Sequence, residues 1–411
     1  DFDALAASFD ASDALADKRN LFMRPDPGVY LDGNSLGLMP LAVPERVMSA
    51  TQSEWAKGLI RSWTDAGWFT LPITVGNKIA PLIGAGADEI AVGDSTSVNI
   101  FKCLSAALHL NPARRTIVAE GDNFPTDNYM AQGLAELIPD VDLRYLEDGD
   151  DPAAIVDDDT AVVILSHVDY RSSRIRDMAR ITQAVQAKGA LMLWDLSHTS
   201  GAVACNLKGC DVDLAVGCTY KYLNGGPGAP AFAWVNPRHT AGLKQPLSGW
   251  MGHAAPFDFV RGYAPAEGSR RLVCGTPQVL SLVSLDAAMD LWAGVDLDAL
   301  WAKSRAMTGF FIEAVEALCD GHGLQLASPR DETTRGSHVS FILEEGGFEV
   351  MQALAARGVL GDFRAPGLLR FGFAPLYLSF AETLQAVHHL ADILETREWD
   401  QDRFRVRGTV T

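Results

Sequence analysis

Leu214-Ala215-Val216-Gly217-Cys218-Thr219-Tyr220-Lys221-Tyr222-Leu223-Asn224-Gly225-Gly226-Pro227-Gly228 joins a short apolar run to a lysine and then to a glycine-rich turn. The run reads as a buried strand, and a lysine directly behind one is poorly explained as a solvated surface charge. At a desolvated strand end a lysine loses basicity and becomes a nucleophile able to form a Schiff base. The glycines do not match G-x-x-x-x-G-K-[ST] and no helix obviously follows them, so a nucleotide loop is discounted.

Outward from this point, strand-like and helix-like segments alternate. The expected strands are Ile90–Val92, Thr116–Ala119, Ala161–Leu165, Ala190–Trp194, Leu214–Cys218 and Ala231–Val235, with helical patterns such as Val98–Leu110 and Ile181–Ala187 between them. That alternation predicts an α/β fold with a mostly parallel sheet flanked by helices. Acidic runs at Glu147–Asp151 and Asp157–Asp159 read as solvated turns. After about Leu291 the pattern changes to a long helix (Leu300–Leu318), a strand (Val339–Leu343), a helix (Phe348–Arg357), a strand near Leu369–Phe373 and a closing helix. This predicts a smaller C-terminal α+β domain at 291–411, a large domain at 51–290, and an N-terminal segment, 1–50, packing on the small one.

The 411 residues carry 34 Lys plus Arg against 52 Asp plus Glu, a net charge of −18, which excludes a basic nucleic-acid binder. The longest stretch free of Asp, Glu, Lys and Arg, Tyr222–Pro237, is broken by Gly and Pro and too short to span a bilayer. The opening Asp1-Phe2-Asp3 has neither a basic nor an apolar leader region, so the expected address is the cytoplasm. Six cysteines without a C-x-x-C pair read as reduced, mostly buried thiols, and no metal is expected.

Ligands of open parallel sheets gather beyond the carboxyl ends of the strands. Asp94-Ser95-Thr96-Ser97 follows one strand and opens a helix, which suits either a phosphate or a plain N-cap. Asn123-Phe124-Pro125-Thr126-Asp127-Asn128 is a turn facing the same end. Asp195, with Ser197 and His198 behind it, is a carboxylate at a buried strand end, and it requires a cationic or hydrogen-bonding partner. From that residue alone a structural salt bridge is an equal reading.

Asp195 and Lys221, 26 residues apart at the ends of successive strands, resemble the pyridinium partner and Schiff-base lysine of a fold-type I pyridoxal phosphate (PLP) enzyme. Within that class the sequence resembles the kynureninase family from Tyr30-Leu31-Asp32-Gly33-Asn34-Ser35-Leu36-Gly37 to Pro375-Leu376-Tyr377. The specific motifs are Trp194-Asp195-Leu196-Ser197-His198, Thr219 to Gly228, Gly249-Trp250-Met251-Gly252-His253, Cys274-Gly275-Thr276-Pro277 and Leu369-Arg370-Phe371-Gly372-Phe373-Ala374-Pro375. The resemblance implies that the large domain binds pyridoxal 5′-phosphate. Thr96, Ser97, Phe124, Pro125, Thr126, Asp127, Ser172, His198 and Tyr220 would line the cofactor, and Trp250 and Thr276 would reach it from the second subunit of a homodimer. Arg370 would clamp the substrate α-carboxylate, against the alternative of a domain-interface ion pair, and Trp63 and Asn34 would also meet substrate. Two departures stand out: Ser173 where the family usually has glycine, and Ser197 where alanine is common.

The implied reaction is hydrolysis of the β,γ carbon-carbon bond of L-kynurenine, and more weakly of 3-hydroxykynurenine, to anthranilate and L-alanine. It belongs to tryptophan catabolism by the kynurenine pathway, which also serves NAD biosynthesis. Lys221 would move the α-proton, Tyr220 would shuttle a proton, and Asp195 would keep the cofactor ring nitrogen protonated. The rivals are a cysteine desulfurase or class V aminotransferase, and a catalytically dead PLP-fold scaffold. Desulfurases typically have His before the lysine, where this chain has Tyr220, and they need a mobile cysteine, whereas Cys319 ends a helical pattern.

Overall fold

A computed structural model describes residues 1–25, 28–147 and 149–408. Strands in chain order are β1 (Val29–Tyr30), β2 (Ile90–Val92), β3 (Thr116–Glu120), β4 (Asp142–Leu146), β5 (Thr160–Ser166), β6 (Leu191–Asp195), β7 (Leu214–Gly217), β8 (Phe232–Val235), β9 (Gln325–Leu326), β10 (His338–Ile342), β11 (Val359–Leu360), β12 (Asp362–Arg364) and β13 (Leu368–Gly372). The large sheet has the order β2-β8-β7-β6-β5-β3-β4. Only β8 runs against its neighbours in it. The chain is thus α/β with a mostly parallel sheet.

Local chemistry explains the elements. All seven residues of β5, Thr-Ala-Val-Val-Ile-Leu-Ser, are buried, as a strand covered by helices on both faces requires. Strand β4, Asp-Leu-Arg-Tyr-Leu, lies at the sheet edge with only Leu146 buried. Its charged composition masks it in an apolar-run reading, and it is absent from the expected strands. The helix Thr96–Leu110 starts where the Ser95 hydroxyl caps the Val98 N–H, and such caps contribute about 1 kcal/mol. The helix Phe380–Thr396 opens with a capping box between Ser379 and Glu382. The turn Asp157–Asp159 is held by the Thr160 hydroxyl on Asp157 at 2.9 Å; of the run Glu147–Asp151, residue 148 lies outside the described residues.

The second sheet is antiparallel, in the order β12-β13-β10-β9. Near the N-terminus, Phe9 stacks on Phe380 at 4.6 Å, and Asp10 accepts from the Phe380 and Ala381 N–H groups. Further on, the segment 32–38 reaches the lysine loop. Gly37 N–H donates to the Tyr220 carbonyl at 2.8 Å, and Asn224 Nδ2 donates to the Leu38 carbonyl at 2.9 Å. A Cβ on Gly37 would collide with the Lys221 carbonyl, so glycine permits this approach. Of the cysteines, Cys103, Cys218 and Cys319 are buried and the other three half-buried, all unpaired. That is fewer buried thiols than expected. No helix among the described residues is long and apolar enough to cross a membrane.

Candidate active site

A cavity of about 540 Å³ opens at the carboxyl ends of the parallel strands. Strand β6 delivers Asp195 to it, and the chain beyond β7 delivers Tyr220 and Lys221. The start of the helix Thr96–Leu110 delivers Thr96 and Ser97. Lys221 Nζ meets His198 Nε2 at 2.8 Å and lies 5.8 Å from the Phe124 ring centroid. Burial, reinforced by the adjacent lysine, pushes His198 well below the ordinary imidazole range, so the ring is neutral.

Asp195 keeps one oxygen for the protein and leaves the other for a ligand. Its Oδ1 accepts from the Ser197 N–H at 2.8 Å and the Ser197 hydroxyl at 2.7 Å, while no described group donates to Oδ2. Burial pushes its pKa up, and the Ser197 bonds and Lys221 pull against that rise. Ser197, one of the two departures from the family pattern, is therefore the residue that orients this carboxylate. Asp127, fully buried, accepts from Asn123 Nδ2 at 2.9 Å but has no partner at Oδ1. Burial, then the Asp195 charge, pushes it well above the usual carboxylate range.

Across the cavity mouth, the Ser97 and Thr126 hydroxyls are 2.7 Å apart, beside the free N–H groups of a 15-residue helix. That end binds anions through oriented amides and the helix dipole. Its position is fixed from behind: buried Lys102 donates to Asp94 at 2.5 Å and to the Leu272 carbonyl at 2.7 Å. Pro125 is the first residue of the helix Pro125–Leu137 that Thr126 and Asp127 share. The residues fit PLP: an anion seat, a buried carboxylate with a free oxygen, a lysine and an aromatic face.

Not every expected residue converges. Ser172 does not line this cavity: its hydroxyl donates to Asp169 at 2.7 Å, and it faces a separate cavity with Glu120 and Arg174. The polar residue at the end of β5 that does line the site is Ser166, which the pattern of polar residues at strand ends would have located. Trp63 packs edge-on against Trp68, centroids 5.8 Å apart, away from the cavity. Trp250 and Thr276 are exposed and outside it. Their loops nevertheless touch, since a Cβ on Gly249 would collide with the Cys274 backbone. Arg370 is buried on β13 behind Tyr170. It donates through Nε to Asp362 at 2.8 Å, through Nη2 to Asp362 and Ser35, and through Nη1 to the Tyr170 carbonyl at 2.6 Å. The ion-pair alternative thus describes part of its environment, and one Nη1 proton stays uncommitted among the described residues. Asn34 is fully buried with neither amide atom partnered.

The fold is shared with solved enzymes. A cysteine desulfurase from Thermococcus onnurineus superposes with TM-score 0.77 at 18% identity, covering 92% of this chain and 98% of that one. A C-DES variant with glycine covalently linked to its PLP cofactor superposes with TM-score 0.80 at 15% identity, covering 91% and 99%. These likenesses define the fold alone. The family model described as the kynureninase C-terminal domain matches residues 300–390. Curated relatives named kynureninase match nearly end to end: 49% identity over 411 residues in Burkholderia mallei, strain SAVP1, at 99% of each chain, and 47% over 409 residues in Pseudomonas fluorescens, at 98% of each. The chain belongs to the kynureninase family and is a hydrolase.

Proposed function

We propose that this enzyme hydrolyses the β,γ carbon-carbon bond of L-kynurenine to anthranilate and L-alanine, and that of 3-hydroxykynurenine more weakly. The carrying observation is the pairing of Lys221 with neutral His198 beside the half-free carboxylate of Asp195, in a chain related to kynureninases over its whole length. The cofactor is pyridoxal 5′-phosphate, held by Thr96, Ser97 and Thr126 at the anion seat and by Asp195, His198, Tyr220 and Lys221 around the ring. When bound, it supplies an electron sink for carbanion chemistry at the substrate α- and β-carbons.

The chain's own residues do the rest. Lys221 takes the substrate α-proton. The free oxygen of Asp195 would accept a hydrogen bond from the cofactor's ring nitrogen and hold a proton there, and Ser197 fixes the direction of that carboxylate. Tyr220 keeps its phenol protonated because burial pushes its pKa up, so it donates a proton to the substrate after water has added to the γ-carbonyl. Arg370 binds the α-carboxylate through the one Nη1 proton that Asp362, Ser35 and the Tyr170 carbonyl leave uncommitted, a charge-assisted hydrogen bond. The desulfurase alternative lacks its nucleophile: Cys319 is buried at the end of the helix Leu297–Leu318, and burial pushes its thiol up to about 12.

Two copies complete each site in this reading. Trp250 and Thr276 are exposed on adjoining loops of one chain and would meet the cofactor of the other. We place the enzyme in the cytoplasm and in tryptophan catabolism. Purified protein supplied with PLP is expected to release anthranilate from L-kynurenine, and no release overturns the function. Mixed dimers of Lys221→Ala and Thr276→Ala subunits are expected to recover activity; hybrids that form and stay inactive overturn the shared site.

A further inference from the structure

Beside the Lys221 cavity lies a group of buried nitrogens that the reaction described above leaves unused. Strands β10 and β13 pair His338 with Gly372 and Ser340 with Arg370. Residues opposite each other in an antiparallel pair, and residues two apart along a strand, project from one face. His338, Ser340, Gly372 and Arg370 therefore share a face, and that face looks toward the lysine site. The His338 ring lies 5.3 Å from the His198 ring, centroid to centroid. The Ser340 hydroxyl donates to the Arg171 carbonyl at 2.5 Å, next to the Tyr170 carbonyl that holds Arg370. Asn34 occupies the space a Gly372 side chain would take, which puts its amide next to His338.

Ser173 decides which His338 nitrogen carries the proton. Both residues are fully buried. The His338 backbone N–H donates to Ser173 Oγ at 3.3 Å, and His338 Nδ1 lies 3.2 Å from the same oxygen. Among the described residues the serine hydroxyl has no other acceptor, so its proton goes to Nδ1. Burial holds the ring neutral, and a neutral imidazole has a single N–H, which then sits on Nε2. Among the described residues that Nε2 has no well-formed hydrogen bond. The Tyr170 carbonyl, which already accepts from Arg370 at 2.6 Å, attracts the ring N–H only weakly. On His198, Nε2 accepts from Lys221, so the unpartnered Nδ1 is a donor as well.

The seam thus offers two buried imidazole N–H groups and one spare Arg370 N–H. Asn34 adds an unpaired donor but also an unpaired acceptor, so the surplus of donors rests on the other three. Buried donors without acceptors are costly, and a group with two acceptor oxygens and no proton relieves them. We propose that His338 is a substrate-binding residue: its Nε2–H, directed by the Ser173 hydroxyl, bonds the α-carboxylate of the amino-acid substrate alongside Arg370. Ser173 stands at φ 68°, a left-handed conformation that favours glycine, and its hydroxyl on His338 gives a reason for a serine there.

The inference rests on the reading of Arg370 as the carboxylate clamp, and the test separates the two. In the PLP-loaded enzyme, KM for L-kynurenine is compared with Ki for the same molecule lacking its carboxylate, 3-amino-1-(2-aminophenyl)propan-1-one. His338→Leu is expected to raise the KM about tenfold while moving the Ki of the amine less than twofold and kcat little. Ser173→Gly, which leaves every core ring in place and relieves the left-handed backbone, is expected to raise KM about threefold with the amine again unaffected; it decides the matter should the leucine variant fail to fold. Equal losses for both ligands, or no loss in either variant, overturn the role of His338. If Arg370→Gln also fails to discriminate between the ligands, the carboxylate seat itself is misplaced; if Arg370→Gln discriminates and the His338 and Ser173 variants do not, only the inference falls.

Discussion

The ends of the parallel strands and the inner face of the antiparallel sheet, adjoining halves of the proposed site, are built by different means. At the strand ends each chemical group follows its own apolar strand directly: Asp195 closes β6 and Lys221 comes four residues after β7. On the antiparallel face the groups meet by register. Asp362 and Arg370 are cross-strand partners, and Asn34 reaches the same place from more than 300 residues away. The electrostatics differ as well. Burial raises the Asp195 and Asp127 carboxyls and leaves an oxygen of each without a protein donor, whereas Arg370 holds Asp362 below the usual carboxylate range despite its burial. One half waits for a ligand's charge, and the other has most of its charge already paired.

The largest effect belongs to the strand-end half. Lys221→Ala is expected to cut kcat by about 10²- to 10⁴-fold, because it removes the group that moves the α-proton. PLP is expected to stay bound through the anion seat. Borohydride reduction of the wild type followed by peptide mapping checks the assignment, and a label on any other lysine refutes it.

On the antiparallel face the expected loss is in binding first. Arg370→Gln is expected to raise KM and to lower kcat as well, since a slack carboxylate misplaces the α-proton relative to Lys221. Truncating one member of a buried charged pair costs about 2 to 5 kcal/mol, partly from the charge left behind. Here that charge is Asp362, only 2% exposed, so a fall in thermal stability is expected to accompany the kinetic change. An unchanged kcat/KM removes Arg370 from the site.

This contrast also decides what could be read in the sequence. Asp195, Lys221, Thr96 and Ser97 were legible because a parallel α/β sheet puts its ligand beyond its strand ends, and the text marks each end by a switch from apolar to polar residues. The same rule points to Ser166 at the end of β5, whereas Ser172, taken from a motif, lies six residues past that end and bonds Asp169 instead. His338 and the Asp362 partner of Arg370 have no linear mark: their meaning comes from strand register, which depends on a fold already formed. Trp250 and Thr276 lie outside this chain's cavity, and only the family resemblance, not a strand-end mark, links them to Lys221. Edge strand β4 was hidden because half of it faces solvent.

Substrate choice is a smaller effect, and it involves neither half in one chain. L-Kynurenine is expected to be preferred over 3-hydroxykynurenine, because the indole face of Trp63 would offer the aromatic ring packing area and no acceptor for a ring hydroxyl. A buried hydroxyl without a partner costs about 1 to 3 kcal/mol, which gives roughly a tenfold or greater preference in kcat/KM. Trp63 packs on Trp68 and lies outside the cavity lining, so a substrate role for it rests on the family resemblance alone. Trp63→His combined with Thr276→Asn is expected to shift the preference toward the hydroxylated compound in direct competition. Equal or reversed values in the wild type refute it.

The smallest effect is a pH dependence on the antiparallel side. Asp32 bridges to Gly372, and burial, then the charge of Asp362, raises its pKa from 3.8 to about 7. The unfolded chain releases this proton near pH 4, while the folded one keeps it until about pH 7. Across that window the folded state binds more protons, so this carboxyl makes stability fall as pH rises, and the penalty is complete above 7. Asp362 works with the opposite sign: its pKa is lowered, so its contribution is present above the unfolded value and lost as the pH falls. Asp32→Asn removes only the first slope. At fixed protein concentration, the melting temperature of the variant minus that of the wild type is expected to be near zero at pH 4 and to grow to about 2 °C by pH 7.5, corresponding to on the order of 1 kcal/mol after discounting for solvent. Parallel melting curves across that range place the proton elsewhere, and a difference that grows toward acid pH reverses the assignment of Asp32 as the carboxyl that Asp362 keeps protonated.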